Sequence, residues 1–212
     1  GIMAVGFNRR YAPAVVALKD HFRDRNTPLL MHYRVNAGFI PADSWVHDPV
    51  EGGGRILGEV CHFVDLLHFL TGSPPTRVTA SRLQSRGISV LADDNMAATI
   101  EFGDGSVGTI GYSALGAEQQ PKEYLDVMGA GRSGLIDNFR RIELYGGRKP
   151  ARSKNRLDKG HNSQFAALVS AVKEGGELPI PVEQMILSTV ATMAIAESLQ
   201  TGEPVSIDVS EF

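Results

Sequence analysis

Apolar positions recur along the chain with two different periods, and the switches between them mark its elements. Val15, Leu18 and Phe22 lie three and four apart behind Pro13, and Asn26-Thr27-Pro28 halts the run, so the spacing predicts one amphipathic helix. Leu29 to Asn36 reads as a strand. Ala37 to Gly54 is rich in Pro, Gly and Asp and reads as a loop. From about Arg55 to Leu70 most positions are apolar, which predicts a largely buried helix closed by Gly72-Ser73-Pro74-Pro75. Met96, Ala98, Ile100 and Phe102 then alternate with Asn95, Ala97, Thr99 and Glu101, and Gly103-Asp104-Gly105 turns into Val107 to Ser113, a hairpin pattern. Tyr124 to Met128, Gly134 to Phe139 and Arg141 to Tyr145 read as further strands. Phe165, Leu168, Val169 and Val172 restore the helical period up to Gly175-Gly176, and a second helix is expected from near Pro181 to Gly202, before a short strand over Val205 to Val209.

Strands in the middle and helices at both ends predict an α+β fold: an open, mostly antiparallel, mixed sheet with helices packed on one face. One domain is expected over residues 1–212. The opening Ile2 to Phe7 is an apolar run with no hairpin partner, so residues 1–8 suit the last strand of a preceding unit.

Composition changes this picture only by exclusion. A chain of 212 residues can sustain its own core, and 42% apolar with 21% charged residues is too apolar for disorder. A net charge of −3 without a basic stripe argues against nucleic acid or an anionic membrane as partner. The single cysteine, Cys61, precludes an internal disulfide framework, and no signal segment or long apolar run is visible, so a cytoplasmic location is expected. Cys61 lies in the most apolar stretch and reads as a small buried hydrophobe rather than a nucleophile.

Two motifs bear on chemistry. Gly129-Ala130-Gly131-Arg132-Ser133-Gly134 matches G-x-G-x-x-G, but a dinucleotide fingerprint needs the third glycine to open a helix. Here strand-like sequence follows, so the glycines are read as a hairpin turn. Glu59, His62 and Asp65 are spaced by three along the apolar helix, and buried ionisable groups are costly unless paired or used. A carboxylate one turn from an imidazole can orient it and raise its pKa, giving a proton donor and acceptor; a core histidine satisfied by its acidic neighbours is the plainer alternative. A metal on His47, Glu59 and His62 would need those ligands only to meet in space, but nothing in their spacing marks such a site, and no metal is expected. Asn8, Arg9 and Arg10 at one strand end, and Arg34 and Asn36 at another, could hydrogen-bond a polyhydroxylated ligand that Phe39, Trp45 and His47 would wall. Gly52-Gly53-Gly54 would let backbone approach it closely.

Val5 to Pro13, Tyr33 to Gly38, the glycine triplet with His62-x-x-Asp65 and Gly72, Gly160-His161 through Phe165, and Ser198-x-x-Thr201-Gly202-x-x-Val205 together resemble the C-terminal region of the glucose-fructose oxidoreductase, inositol dehydrogenase and MocA family. The chain looks most like a branch fused behind a zinc alcohol-dehydrogenase-like region in surface-polysaccharide gene clusters. The resemblance implies a fold similar to the C-terminal domain of glyceraldehyde-3-phosphate-dehydrogenase-like oxidoreductases. It implies a substrate-binding and oligomerisation domain for a sugar, sugar nucleotide or polyol, with homo-oligomers formed through the open sheet face. NAD or NADP would be bound mainly by an N-terminal Rossmann domain, without which no activity is expected. By this resemblance His62 with Glu59 would handle the substrate proton, Arg9, Arg34, Asn36, Trp45, His47 and Asp65 would contact substrate, and Asn8 and Arg10 would lie toward the cofactor. The family's Glu-Lys-Pro motif has no counterpart in a matching place, since Lys149-Pro150 falls in a late loop. The family's aspartate four residues before the histidine is replaced by Gly58, and Glu59, on an α-helix, would project about 100° from the expected direction. That departure favours the alternative of a non-catalytic sugar-binding or assembly module.

Overall fold

In the computed structural model, which describes residues 3–84, 92–147, 151–154 and 156–211, nine strands form one sheet. In chain order they are β1 Leu30–Asn36, β2 Pro75–Arg82, β3 Asn95–Phe102, β4 Val107–Ser113, β5 Glu123–Gly129, β6 Arg132–Asp137, β7 Arg141–Tyr145, β8 Ala151–Lys154 and β9 Val205–Ser206. The spatial order is β8-β7-β6-β5-β1-β4-β3-β2-β9. β1 runs parallel to β4, and the remaining pairs are antiparallel. This is the expected open, mixed, mostly antiparallel sheet.

Strand alternation decides which face is covered. Met31, Tyr33 and Val35 of β1 turn inward with Ile110, Tyr112, Leu125 and Val127 of its neighbours, and all are buried in one continuous core. Leu30 and His32 turn outward and are exposed. Helix α1, Pro13–His21, lies over β6 and β7, while α4, Val182–Thr201, lies over β2 and packs on α2, Cys61–Thr71. Helix α3, His161–Glu174, contributes no buried residue; Phe165 is 68% exposed.

Several elements differ from the sequence reading. Met3 to Phe7 form no strand: Phe7, at φ −74° and ψ 66°, centres an inverse γ-turn in which the Asn8 amide donates to the Gly6 carbonyl, and a 3-10 helix follows over Asn8–Tyr11. The apolar helix begins as a π-turn, Ile56–Val60, before α2. The sequence reading assigns Pro75 to the stop of the apolar helix and gives no element to the residues after it, whereas Pro75 opens β2, since proline is tolerated as a strand's first residue. β8 is an exposed edge strand with no apolar alternation to announce it. The final strand is only Val205–Ser206, with a 3-10 turn at Val209–Glu211. The G-x-G-x-x-G match is a two-residue hairpin turn: Gly129 pairs with Arg132, and Ala130 and Gly131 take φ of 51° and 67°. Lys149-Pro150 lies outside the described residues.

Candidate functional site

The N-terminal 3-10 helix, the 40–46 loop, the π-turn with the head of α2, and the start of α3 enclose a cavity of about 660 Å³. Its shape depends on close backbone approaches. A Cβ on Gly52 would meet the Trp45 and Val46 carbonyl oxygens at 2.4 Å, so the loop can fold onto the helix entry only with glycine there. The start of α3 meets the 3-10 helix in the same way. Gly160 has φ +84°, and its Cβ would come within 2.5 Å of the Asn8 carbonyl oxygen and the Ala12 nitrogen.

His62, in the first turn of α2, lines the cavity with its ring edge-on to Phe7 at 5.9 Å. Its Nδ1 is buried, with no hydrogen-bond partner among the described residues. Burial, reinforced by the charge of Arg9, lowers its pKa to about 4, so the imidazole is neutral near pH 7. The expected Glu59–His62 pair, with a raised imidazole pKa, is therefore corrected. Glu59 lines the same cavity, but its carboxylate accepts from Lys122 Nζ and the Tyr112 hydroxyl, and from Arg55 Nη2 at 3.2 Å. Burial alone would raise the Glu59 pKa, but these three donors hold it below the ordinary carboxylate value. Its place on a π-turn also removes the α-helical phase argument that set it aside from the aspartate position.

Behind the opposite wall stands Glu123, 1% exposed at the start of β5. It accepts two bonds from Arg9, 2.8 Å from Nε and 3.0 Å from Nη2, one from Lys159 Nζ at 2.5 Å, and one from the Tyr33 hydroxyl at 2.5 Å. Burial would raise its pKa, yet the bonds from Arg9 and the charges of Arg9 and Lys159 lower it to about 2. Arg9 also lies over the Phe63 ring at 4.8 Å. Arg9 and Lys159 both line the cavity, with His161 and Gln164 of α3 beside them.

Of the residues singled out from sequence, Asn8, Arg9, Trp45, Glu59 and His62 line this cavity. Asn8 holds the Lys159 carbonyl at 2.8 Å, and Trp45 is 65% exposed at the rim. The others lie elsewhere. Arg10 and Asp65 form a buried ion pair, 2.6 Å between Nη2 and Oδ1, which ties the 3-10 helix to α2 and, through Gln184 and Ser188, to α4. Asp65 is fully buried, so neither a ligand nor a cofactor reaches that pair. Arg34 donates to the Pro121 carbonyl at 2.8 Å and Asn36 to the Ala117 carbonyl at 2.7 Å; both line a separate hollow with Tyr112 and Gly116. His47 sits 3.8 Å from Asp94 and does not join the lining. Among the described residues no cluster of three or more His, Cys, Asp or Glu is placed to hold a metal. Burial pushes the Cys61 thiol up to about 11, in keeping with its reading as an inert side chain.

Sequence reasoning missed Arg55, Tyr112, Lys122, Glu123 and Lys159. Glu123 carried a signal: it shares the phase of Leu125 and Val127, which puts a carboxylate on the core face and demands a buried cation. Lys159 carried none.

The open sheet, covered on one face, thus carries a cavity where the apolar helix begins. Residues 26–147 match the GFO/IDH/MocA C-terminal domain model, more than half of the chain, which therefore belongs to that family. No curated protein matches by sequence. Among solved structures, the oxidoreductase domain protein from Kribbella flavida is similar with a TM-score of 0.80 at 18% identity, over 96% of this chain and 66% of its own. Levoglucosan dehydrogenase in complex with NADH has a TM-score of 0.78 at 18% identity, over 98% of this chain and 66% of its own. The UDP-N-acetylglucosamine 3-dehydrogenase GnnA from Acidithiobacillus ferrooxidans has 0.75 at 16% identity, over 94% and 62%. This chain thus spans slightly less than two-thirds of their length.

Proposed function

We propose that this chain is the substrate-binding and oligomerisation domain of an NAD(P)-dependent oxidoreductase acting on a sugar, sugar nucleotide or polyol. The observation that carries the reading is the neutral His62 imidazole on a polar cavity of about 660 Å³, a size suited to a small organic ligand. Levoglucosan dehydrogenase, of like fold, has been crystallised with NADH together with levoglucosan or L-sorbose.

A nicotinamide dinucleotide would be held mainly by a separate Rossmann domain. The G-x-G-x-x-G match is a hairpin turn and offers no helix N-terminus to a pyrophosphate. The Phe165, Leu168, Val169 and Val172 stripe of α3 lacks a buried residue, which leaves an apolar helix face for such a domain to cover. Bound nicotinamide supplies the hydride acceptor. His62, neutral before substrate arrives, accepts the proton of the reacting hydroxyl. Asn8 and Trp45 orient the substrate ring between the cavity walls, and the ion pairs of Glu123 and Glu59 hold both walls rigid. Arg10 and Asp65 support the wall from behind.

The test is turnover of a sugar and polyol panel by the protein with its nicotinamide-binding domain present. His62→Ala is expected to lower kcat/KM by roughly a hundredfold or more while the fold is retained, as for loss of a general base. Near-normal turnover in that variant would remove His62 from the mechanism. A second reading, a sugar-binding module without chemistry, is favoured by Gly58 and by a Glu59 already occupied by three donors. It predicts sugar binding with no nicotinamide reduction on any substrate of the panel.

A further inference from the structure

We infer that one end of the cavity is an anion subsite, so that the preferred ligand is a carbohydrate bearing a carboxylate or phosphate group; this rests on the cavity being a sugar site. The inference comes from how charge is layered there. Among the described residues Arg9 and Lys159 share one counter-ion, Glu123, and Glu123 stands behind them, 1% exposed and outside the cavity lining. A ligand therefore meets two cations and not the carboxylate that compensates one of them.

The geometry leaves donors available. Arg9 is 6% exposed and donates to Glu123 through Nε and Nη2; among the described residues its Nη1 has no partner. A guanidinium fixed on one edge by a carboxylate and on its face by Phe63 is already ordered, so little entropy is lost when its other edge takes an anion. Among the described residues Lys159 Nζ makes one hydrogen bond, to Glu123, and lies 5.7 Å from the Phe139 ring, which leaves it donor capacity for a ligand. The first turn of α3 adds to this end: Gly160, its N-cap, has no side chain to cap the amides, and His161 and Gln164 line the cavity there.

The rest of the lining does not cancel the excess. Glu59, the acidic residue in the lining, is neutralised by Lys122 and Arg55, and Arg55 also faces Asp94 at 3.4 Å. Among these ion-paired side chains Arg9, Lys159, Arg55 and Lys122 stand against Glu123, Glu59 and Asp94, one positive charge in excess, while Asp158 lies outside the lining and accepts from the Gly160 amide at 2.8 Å. The excess sits at the Arg9 and Lys159 end, where Glu123 is 1% and Arg9 6% exposed, so a charge-assisted hydrogen bond to a ligand is only partly screened by solvent.

Calorimetric titration of the 212-residue chain with glucose, glucuronate and glucose 6-phosphate tests this. Glucuronate or glucose 6-phosphate should bind at least tenfold tighter than glucose, and the better of the two identifies carboxylate or phosphate as the group served. Lys159→Gln, which leaves Arg9 and Glu123 balanced, should abolish that preference, read as the glucuronate-to-glucose and glucose 6-phosphate-to-glucose affinity ratios. Lys173→Gln, at the exposed far end of α3, controls for overall charge and should change neither. Equal affinity for all three sugars, or a preference that survives Lys159→Gln, overturns the subsite while the sugar site stands. Binding of none of the three overturns the sugar site and the inference together.

Discussion

Glu123 shows how a single residue sets a cavity wall. Four hydrogen bonds converge on it, and removing its carboxylate would leave two cations and a buried tyrosine hydroxyl unmatched. Glu123→Ala is expected to lower stability by about 3–5 kcal/mol in urea unfolding, the cost of breaking a buried pair. A loss within about 1 kcal/mol, the usual value of an exposed pair, would mean that solvent reaches it.

Acid should act through three residues in sequence. Burial first, with the charges of Arg9 on His62 and Arg10 on His68, holds both histidines at about 4 against an ordinary 6.5. Each binds fewer protons folded than unfolded across that interval, so its contribution is complete above pH 6.5 and is lost as pH falls to 4. Glu123, at about 2 against 4.5, extends the loss below pH 4.5. Urea midpoints should therefore fall from about pH 6.5 downward, and His68→Gln should flatten the upper part of the decline. A flat profile between pH 6.5 and 4.5 in the unmodified chain would contradict the burial of these rings.

At this scale His62 was legible because an ionisable group in an apolar helix must be paired or used. Its relation to Glu59 was not. Two of the Glu59 partners, Tyr112 of β4 and Lys122 just before β5, lie more than fifty residues away, and a three-residue spacing cannot reveal them. Arg34 and Asn36 were misplaced for a related reason. Both sit near the end of β1, but the strand's pleat and the loop ahead of β5 turn them into a different hollow.

At the scale of elements, the cavity depends on two junctions that glycine permits. Gly160→Ala would force a side chain at φ +84° into the backbone of the 3-10 helix, so it should destabilise strongly and weaken ligand binding with it. Gly176, with open space around it and no left-handed backbone, is the natural control; Gly176→Ala should be neutral or stabilising by up to about 1 kcal/mol. Similar thermal midpoints for the two variants would show that the close approach at Gly160 is relaxed in solution. The helices and the central hairpins were legible because their periodicity is strong and their stops are glycine or proline. β8 and the π-turn were not, since an exposed edge strand lacks alternation and a π-turn has the composition of the helix it opens.

Over the whole molecule, the helices cover one face of the sheet and leave the other to solvent. Leu30 and Met128 pair across β1 and β5 on that bare face, 42% and 36% exposed, next to His32 and Thr109. An apolar pair on an uncovered sheet face is best buried against a second copy, and sedimentation at micromolar concentration is expected to report a dimer or higher oligomer. A monomer there would assign the face to solvent. Among the described residues no helix is long and apolar enough to cross a membrane.

The central claim is that ligand enters between His62 and the Arg9–Lys159 wall and not at the hollow near Arg34 and Asn36. Backbone amide chemical shifts of the labelled chain, followed during titration with glucuronate, measure this directly. The account predicts changes confined to Arg9, Trp45, Glu59, His62, Lys159 and His161. Changes centred on Arg34, Asn36 and Gly116, with the His62 region unmoved, would contradict it.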